Sequence, residues 1–315
     1  MTNVLSVVIF ILGFILILKG ASFLVSSSVM LAEKAKVPPI VVGATIVAIA
    51  TTFPETTVSL VSSFNGMDTI GINTAVGSMV CNFTIVLGVA FLFMPSKIEP
   101  DSFFSKAVYF CIAVFVLLIL GLDGKISIVD SVIMLAVLVV FVVINCVEAS
   151  KCESRQKEIK KSEPWLKIVI EFLLSALSIG LGAIVLVENV DSISAMLGLD
   201  NNILSFIVIA VGTNIPELVT TITSVKMKNP EIGVGNIFGA SIIDCTLLIA
   251  TSALASPINA IFISKGLLLL TVPVLFIITA IIALPIIKNG RSFRWQGLAL
   301  ILLYFIYTYL IIKIS

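Results

Sequence analysis

Histidine is absent from this 315-residue chain. Its absence excludes histidine general bases, Ser-His-Asp and Cys-His catalysis, and the zinc and haem sites that depend on imidazole. Charge is scarce as well: 12% of the residues are Asp, Glu, Lys or Arg, against roughly a quarter in soluble domains. The charges nearly cancel, with 19 basic and 18 acidic residues, so there is no basic footprint for a nucleic acid. The five cysteines, at 81, 111, 146, 152 and 245, show no CxxC spacing, and four lie inside apolar runs, where they read as small hydrophobes. A soluble enzyme is excluded, and no catalytic residue or bound cofactor is expected.

Apolar residues make up 59% of the chain. They fall into ten runs, each of the length that a bilayer-spanning helix needs, about 20 residues. Polar breaks put these helices at about 4–28, 38–64, 69–94, 104–121, 126–148, 165–188, 202–225, 231–255, 264–287 and 295–313. The apolar start, Val4 to Leu18, lacks a basic n-region and a small-residue cleavage site, so it reads as the first spanning helix. The one markedly hydrophilic segment, Ser150 to Pro164, divides the helices five and five. The organisation expected is a first five-helix repeat over 1–149, a linker over 150–164 and a second five-helix repeat over 165–315.

Basic loops stay on the cytoplasmic side of a membrane. Alternate loops collect 15 of the basic residues, among them Lys34, Lys97, Lys106, Lys151 and Arg291, against Lys125, Lys265 and Lys313 opposite; Lys19 lies within helix 1. A cell-membrane protein with both termini extracytoplasmic and the central loop cytoplasmic is expected. Lipid is its surrounding partner, and no obligate protein partner is evident. Five helices per half mean that the second half enters the membrane inverted, so similarity between the halves signals an inverted repeat. Sliding the chain by 162 residues aligns Gly20 with Gly182, Ala48 with Ala210, Thr51 with Thr213, Pro54 with Pro216 and Glu55 with Glu217. The same offset, without a gap, pairs Gly71 with Gly233, Gly77 with Gly239 and Thr84 with Thr246, and sets Asn82 opposite Asp244.

Glu55, Glu217 and Asp244 fall in the middle of apolar stretches. A charge at mid-membrane costs at least about 2.5 kcal/mol on insertion scales, so each needs a compensating partner. No membrane Lys or Arg is placed to serve, and a bound cation is the better account of the symmetric pair Glu55 and Glu217. Pro54 and Pro216 lack an amide hydrogen and clash with the carbonyls of Ala50 and Gly212, which predicts kinked or broken helices 2 and 7 with carbonyls freed beside a carboxylate. Thr51 and Thr213 add hydroxyl oxygens. The motifs ending in Asn82 and Asp244 place small and polar residues on one helix face, and the glycines at 71, 77, 233, 235 and 239 permit close helix approach. An all-oxygen donor set favours Ca²⁺ or Na⁺ over zinc or copper. Asp130, Glu148, Glu171 and Glu188 lie near helix ends, where solvation accounts for them.

The paired Ala-x-(Gly/Ala)-Thr-x-x-Pro-Glu motifs ending at Glu55 and Glu217, each followed by Gly-x-x-x-x-(Asn/Asp), resemble the cation/calcium exchanger superfamily, most closely its sodium/calcium exchangers. The likeness implies an all-α membrane protein of ten transmembrane helices in two inverted five-helix repeats, working as an antiporter by alternating access. It implies Ca²⁺ bound by Glu55 and Glu217 with the Thr51 and Thr213 carbonyls. It also implies Na⁺ sites using the Ala48 and Ala210 carbonyls, the Thr51 and Thr213 region and Ser78, with Asn82 and Asp244 central. The family's Gly-Thr-Ser reads Ala50-Thr51-Thr52 in the first copy and Gly212-Thr213-Asn214 in the second, and the serine expected after the second glycine is Ala240. The second half has thus lost hydroxyls that the first retains. The reading is exchange of Ca²⁺ for Na⁺, with a proton/Ca²⁺ antiporter and, behind it, a cation channel as alternatives. An intramembrane aspartyl protease is disfavoured because the repeated acids are glutamates and Asp244 faces Asn82.

Overall fold

The computed structural model describes residues 2–64, 66, 68–151, 163–197 and 214–314. The first half contains α1 (Thr2–Ala35), α2 (39–64), α3 (68–93), α4 (Pro100–Leu120) and α5 (Ile128–Lys151). The second contains α6 (Trp165–Leu197), α7 (Ile215–Lys226), α8 (230–255), α9 (Lys265–Asn289) and α10 (Arg294–Ile314). Eight helices among the described residues are long and apolar enough to cross a membrane. Their exposed large residues, such as Leu166, Val129 and Leu284, form the apolar surface that lipid requires.

The inverted repeat persists in the backbone. The α2–α3 turn passes through Gly66 at φ 73° and its counterpart 162 residues on, Lys228, takes φ 61° in the α7–α8 turn. Helices α3 and α8 each widen into a π-helical stretch at the same repeat position, Asn82–Val86 and Asp244–Leu248. In each stretch a threonine, Thr84 or Thr246, turns its hydroxyl back to the carbonyl four residues earlier. Two three-residue strands, β1 (Lys125–Ser127) and β2 (Ala260–Phe262), pair antiparallel and join the α4–α5 and α8–α9 connections. The counterpart connections, α3–α4 and α9–α10, meet at a Lys97–Arg291 bridge, with Ile98 donating to the Gly290 carbonyl at 3.0 Å.

Proline does not interrupt helix 2 where the sequence suggests. Regular α geometry runs through Pro54 over Ala48–Phe64, and the interruption is the π-helical stretch Gly43–Val47, about two to three turns earlier. The hydroxyl of Thr52 bonds the Ala48 carbonyl at 2.7 Å, and Thr56 bonds the Thr52 carbonyl at 2.9 Å. Such local hydroxyl and π adjustments are how membrane helices accommodate a missing N–H. In the second half, α7 begins at Ile215, with Asn214 at φ −89° and ψ 4° and Pro216 in the first turn, where no helical N–H is lost. The residues preceding it, 198–213, lie outside the described residues.

Two packing features position the centre. Helices α2 and α8 touch backbone to backbone: a Cβ on Gly43 would lie 2.3 Å from the Ile232 carbonyl oxygen, and one on Gly235 equally close to that of Ile40. Behind them Phe83, Phe103, Phe110 and Phe238 form an aromatic core with tilted and edge-on contacts at centroid separations of 4.5–6.1 Å. Helices α1 and α6 pair symmetrically, and Ala21, Leu24, Phe172 and Ile179 on them form one apolar cluster with Val42, Val47 and Ile232 of α2 and α8. A Cβ on Gly20 would strike Ile179 and the Ser175 carbonyl, and one on Gly182 would strike Ile17 and the Gly13 carbonyl, contacts related by the same 162-residue offset.

Glu148, expected to be solvated at a helix end, instead takes the ammonium of Lys106, a side chain 1% exposed between α4 and α5. The sequence placed Lys106 among loop cations; the α4–α5 packing draws it inward and leaves Glu148 as its counter-charge. Glu148→Ala would strand a buried ammonium, which costs about 3 kcal/mol at the lower end of the range for broken buried pairs. A lowered thermal midpoint in detergent is the expected result, and an unchanged one would show that Lys106 has another way to stay charged or solvated.

Candidate ion-binding centre

Four helices meet at mid-depth, and each contributes polar residues that are essentially inaccessible to solvent. Helix α2 supplies Ala48, Thr51, Thr52 and Glu55; α3 supplies Ser78 and Asn82; the start of α7 supplies Asn214 and Glu217; and α8 supplies Asp244. Every candidate from the sequence that is described is therefore buried, and hydrogen bonds and electrostatic proximity bring together Glu55, Ser78, Asn214, Thr51, Glu217 and Asp244. Thr213 and Ala210 lie outside the described residues.

The π-helical stretches explain the position of Asn82 and Asp244. Each residue opens its stretch, where an i→i+5 turn widens the helix and shifts the side chain from the regular α spiral, a device that recurs at functional sites. Glu55 follows Thr51 by one turn on α2, so the two point to one face. Glu55, Glu217 and Asp244 are in Coulombic reach of one another. Three carboxyl groups thus lie near one another in an apolar interior, where like charges on them would be weakly screened.

Hydrogen bonds order one side of the centre. The Ser78 hydroxyl donates to Glu55 Oε1 at 3.0 Å, and Asn214 Nδ2 donates to Ser78 Oγ at 3.3 Å. Thr51 Oγ donates to Asn236 Oδ1 at 3.1 Å and also faces Glu217. Thr52 turns away, to the Ala48 carbonyl. Among the described residues, neither oxygen of Glu217 or Asp244 makes a hydrogen bond within 3.5 Å, and the same holds for both polar atoms of the Asn82 amide. Buried polar atoms are almost always satisfied, so these groups are the ones in the described centre that are open to a further ligand. No three Asp, Glu or Cys side chains among the described residues converge tightly enough to hold a metal by themselves. Any cation held here takes part of its shell from hydroxyl, amide and carbonyl oxygens, the mixed oxygen set that suits Ca²⁺ and Na⁺.

The sequence did not single out Asn236 or Ser241, both buried in α8, nor the Ser59–Ser252 hydrogen bond of 2.7 Å between α2 and α8. Asn236 carried a signal: it is a polar residue between Gly235 and Gly239, and its repeat counterpart, Thr74, is polar too.

Ten helices among the described residues, eight of them long and apolar enough to cross a membrane, with buried carboxylates contributed by both halves, are the architecture of a membrane transporter for inorganic ions. Comparison with known proteins agrees. The sodium/calcium exchanger protein family model matches residues 5–147 and 167–313, and the chain belongs to that family. It is 26% identical over 303 residues to an uncharacterised membrane protein of Methanocaldococcus jannaschii, covering 96% of this chain and 97% of that one. It is 25% identical to the sodium/calcium exchanger MaX1 of Methanosarcina acetivorans over 94% and 95% of the two chains. Its fold is similar to that of the sodium-calcium exchanger NCX_Mj soaked with Na⁺ and Sr²⁺, with a TM-score of 0.83, 25% identity and coverage of 96% and 98%.

Proposed function

We propose that this protein exchanges Ca²⁺ for Na⁺ across the membrane by alternating access to the centre between α2, α3, α7 and α8. The carrying observation is that buried carboxylates from both repeats, Glu55 and Glu217, lie within electrostatic reach of one another beside hydroxyl and amide groups. The charge of the two glutamates is matched by one Ca²⁺ or by a pair of Na⁺. Both ions compete for the same oxygens, and that competition couples the gradients. A filled centre is electrically satisfied and an empty one is not, so loaded forms cross more readily and uncoupled leak is suppressed.

Glu55 and Glu217 bind the divalent ion together with the Thr51 and Thr213 carbonyls. The Ala48 and Ala210 carbonyls and Thr52 serve the monovalent ions, with Asn82 and Asp244 at the centre, while Ser78 donates to Glu55. The close, symmetric packing of α1 against α6 supports a division into two bodies: the α1/α6 pair, and the remaining helices, among which the β1–β2 ribbon and the Lys97–Arg291 bridge join the connections. Both termini are extracytoplasmic and the 150–164 linker is cytoplasmic. The repeats are 1–149 and 165–315.

Ca²⁺ uptake by proteoliposomes tests the proposal. Uptake is expected when the lumen holds Na⁺ and the outside does not, and to cease when Na⁺ is equal on both sides. Uptake driven by a pH gradient and indifferent to Na⁺, or uptake that needs neither gradient, would overturn the assignment.

A further inference from the structure

The two arms of the ion centre are counterparts by sequence offset yet differ in chemistry. Glu55 corresponds to Glu217, Ser78 to Ala240 and Asn214 to Thr52, each pair 162 residues apart. On the Glu55 arm the three groups form one chain, Asn214 Nδ2 to Ser78 Oγ at 3.3 Å and Ser78 Oγ to Glu55 Oε1 at 3.0 Å. Serine has a single hydroxyl proton, and here the carboxylate takes it. The Asn214 atom facing Ser78 must then be a donor, which identifies it as the NH₂ and not the carbonyl. On the Glu217 arm the counterpart chain does not exist. Ala240 has no polar side chain, Thr52 is turned to the Ala48 carbonyl at 2.7 Å, and among the described residues the Glu217 oxygens make no hydrogen bond within 3.5 Å.

An amide NH₂ directs the positive end of its dipole at its acceptor. At Ser78 it takes a lone pair that an inserted cation would need, and it places positive charge density next to a hydroxyl already polarised by Glu55. Resting on the exchange of Ca²⁺ for Na⁺ set out above, we infer that Asn214 is a stoichiometry-determining residue: its carboxamide stands in for a monovalent cation on the Glu55 arm. Na⁺ therefore binds at the Glu217 side and the shared middle of the centre but not at Ser78. Two Na⁺ exchange for one Ca²⁺, and transport is electroneutral. Asn214 acts through Ser78, as a positioning residue.

The experiment begins with the wild-type protein in proteoliposomes. Na⁺-driven Ca²⁺ uptake is measured at clamped membrane potentials, set with K⁺ and valinomycin. Absence of any Na⁺-driven uptake would refute the exchange reading itself and this inference with it. Uptake that is present and insensitive to potential is expected; uptake that changes steeply with potential overturns the inference while leaving exchange intact. The variants Asn214→Ser and Asn214→Ala are then compared, each with folding checked by a Ca²⁺-dependent rise in thermal midpoint. Release of Ser78 should admit one more Na⁺, raising the slope of log rate against log Na⁺ by about one by mass action and making uptake potential-dependent. Adding Ser78→Ala to Asn214→Ser should cancel that gain. Folded variants with unchanged slope and no potential dependence, or folded variants that have lost Na⁺ coupling entirely, would overturn the inference. A merely structural role for Asn214 would alter rate or yield without altering charge moved per Ca²⁺.

Discussion

Glu217→Gln is expected to abolish Ca²⁺ exchange while leaving the protein folded and, if anything, more stable. Glu217 is fully buried in the first turn of α7, and neither of its oxygens makes a hydrogen bond within 3.5 Å among the described residues. Glutamine keeps its shape and removes only its charge. At an effective dielectric constant near 20, two unit charges 4 Å apart attract by about 4 kcal/mol, and a divalent ion loses more than a monovalent one. A loss of about 4 kcal/mol corresponds to roughly a thousandfold in affinity. Glu55 and Asp244 lie within electrostatic reach of Glu217, so a neutral side chain there removes a group that would repel them whenever they are ionised together. The expected pairing of results is Ca²⁺ uptake at background with a thermal midpoint at or above wild type. Uptake within a few-fold of wild type would rule Glu217 out as a Ca²⁺ ligand. Uptake lost together with folding would instead mark it as a structural residue.

The sequence carried the residues of this centre more clearly than the geometry joining them. A carboxylate in the middle of an apolar helix is costly, so Glu55, Glu217 and Asp244 stood out, and the 162-residue offset showed that two of them are related. The offset also holds in places that side-chain identity alone does not predict, such as the left-handed backbone shared by Gly66 and Lys228. The π-helical stretches were not readable, because a widened turn depends on which neighbouring helix accepts the displaced side chain. For the same reason the interruption of helix 2 lies at Gly43–Val47 and not at Pro54. Proline marks where one N–H is missing, whereas the Thr52 and Thr56 hydroxyls and the contact with α8 decide where the chain yields. The Lys106–Glu148 pair and the Asn214–Ser78–Glu55 chain join different helices. Contacts of that kind depend on side-chain direction and interhelical distance, which hydropathy does not encode. Strands of three residues, like β1 and β2, are too short to leave a periodic signal.

Gly239→Ala is expected to have the largest effect of any single-methyl change near the centre, and the reason is backbone contact. A Cβ on Gly239 would lie 2.2 Å from the Ala44 carbonyl oxygen, 2.6 Å from its carbon and 2.7 Å from its Cα. No flexible side chain is there to turn aside, so α2 or α8 must shift as a body. Overpacking a core commonly costs about 1–3 kcal/mol when neighbouring side chains can adjust, and a methyl pressed against a helix backbone belongs at or above the top of that range. A Cβ on Gly43 or Gly235 would likewise lie 2.3 Å from an opposing carbonyl oxygen across the same interface, which leaves α8 little freedom to slide. Functional loss should exceed the loss of stability, because Asn236 and Asp244 lie three residues before and five after Gly239 on α8. Moving α8 away from α2 would part Asn236 from Thr51 and draw Asp244 from Glu55. The repeat counterpart gives the internal control: among the described residues nothing lies within 4 Å of a Cβ built on Gly77. Gly77→Ala should therefore retain a thermal midpoint close to wild type, while Gly239→Ala loses both midpoint and Na⁺-driven Ca²⁺ uptake. Equal, small effects at the two positions would show that the α2–α8 contact is looser in the membrane than the 2.2 Å approach requires.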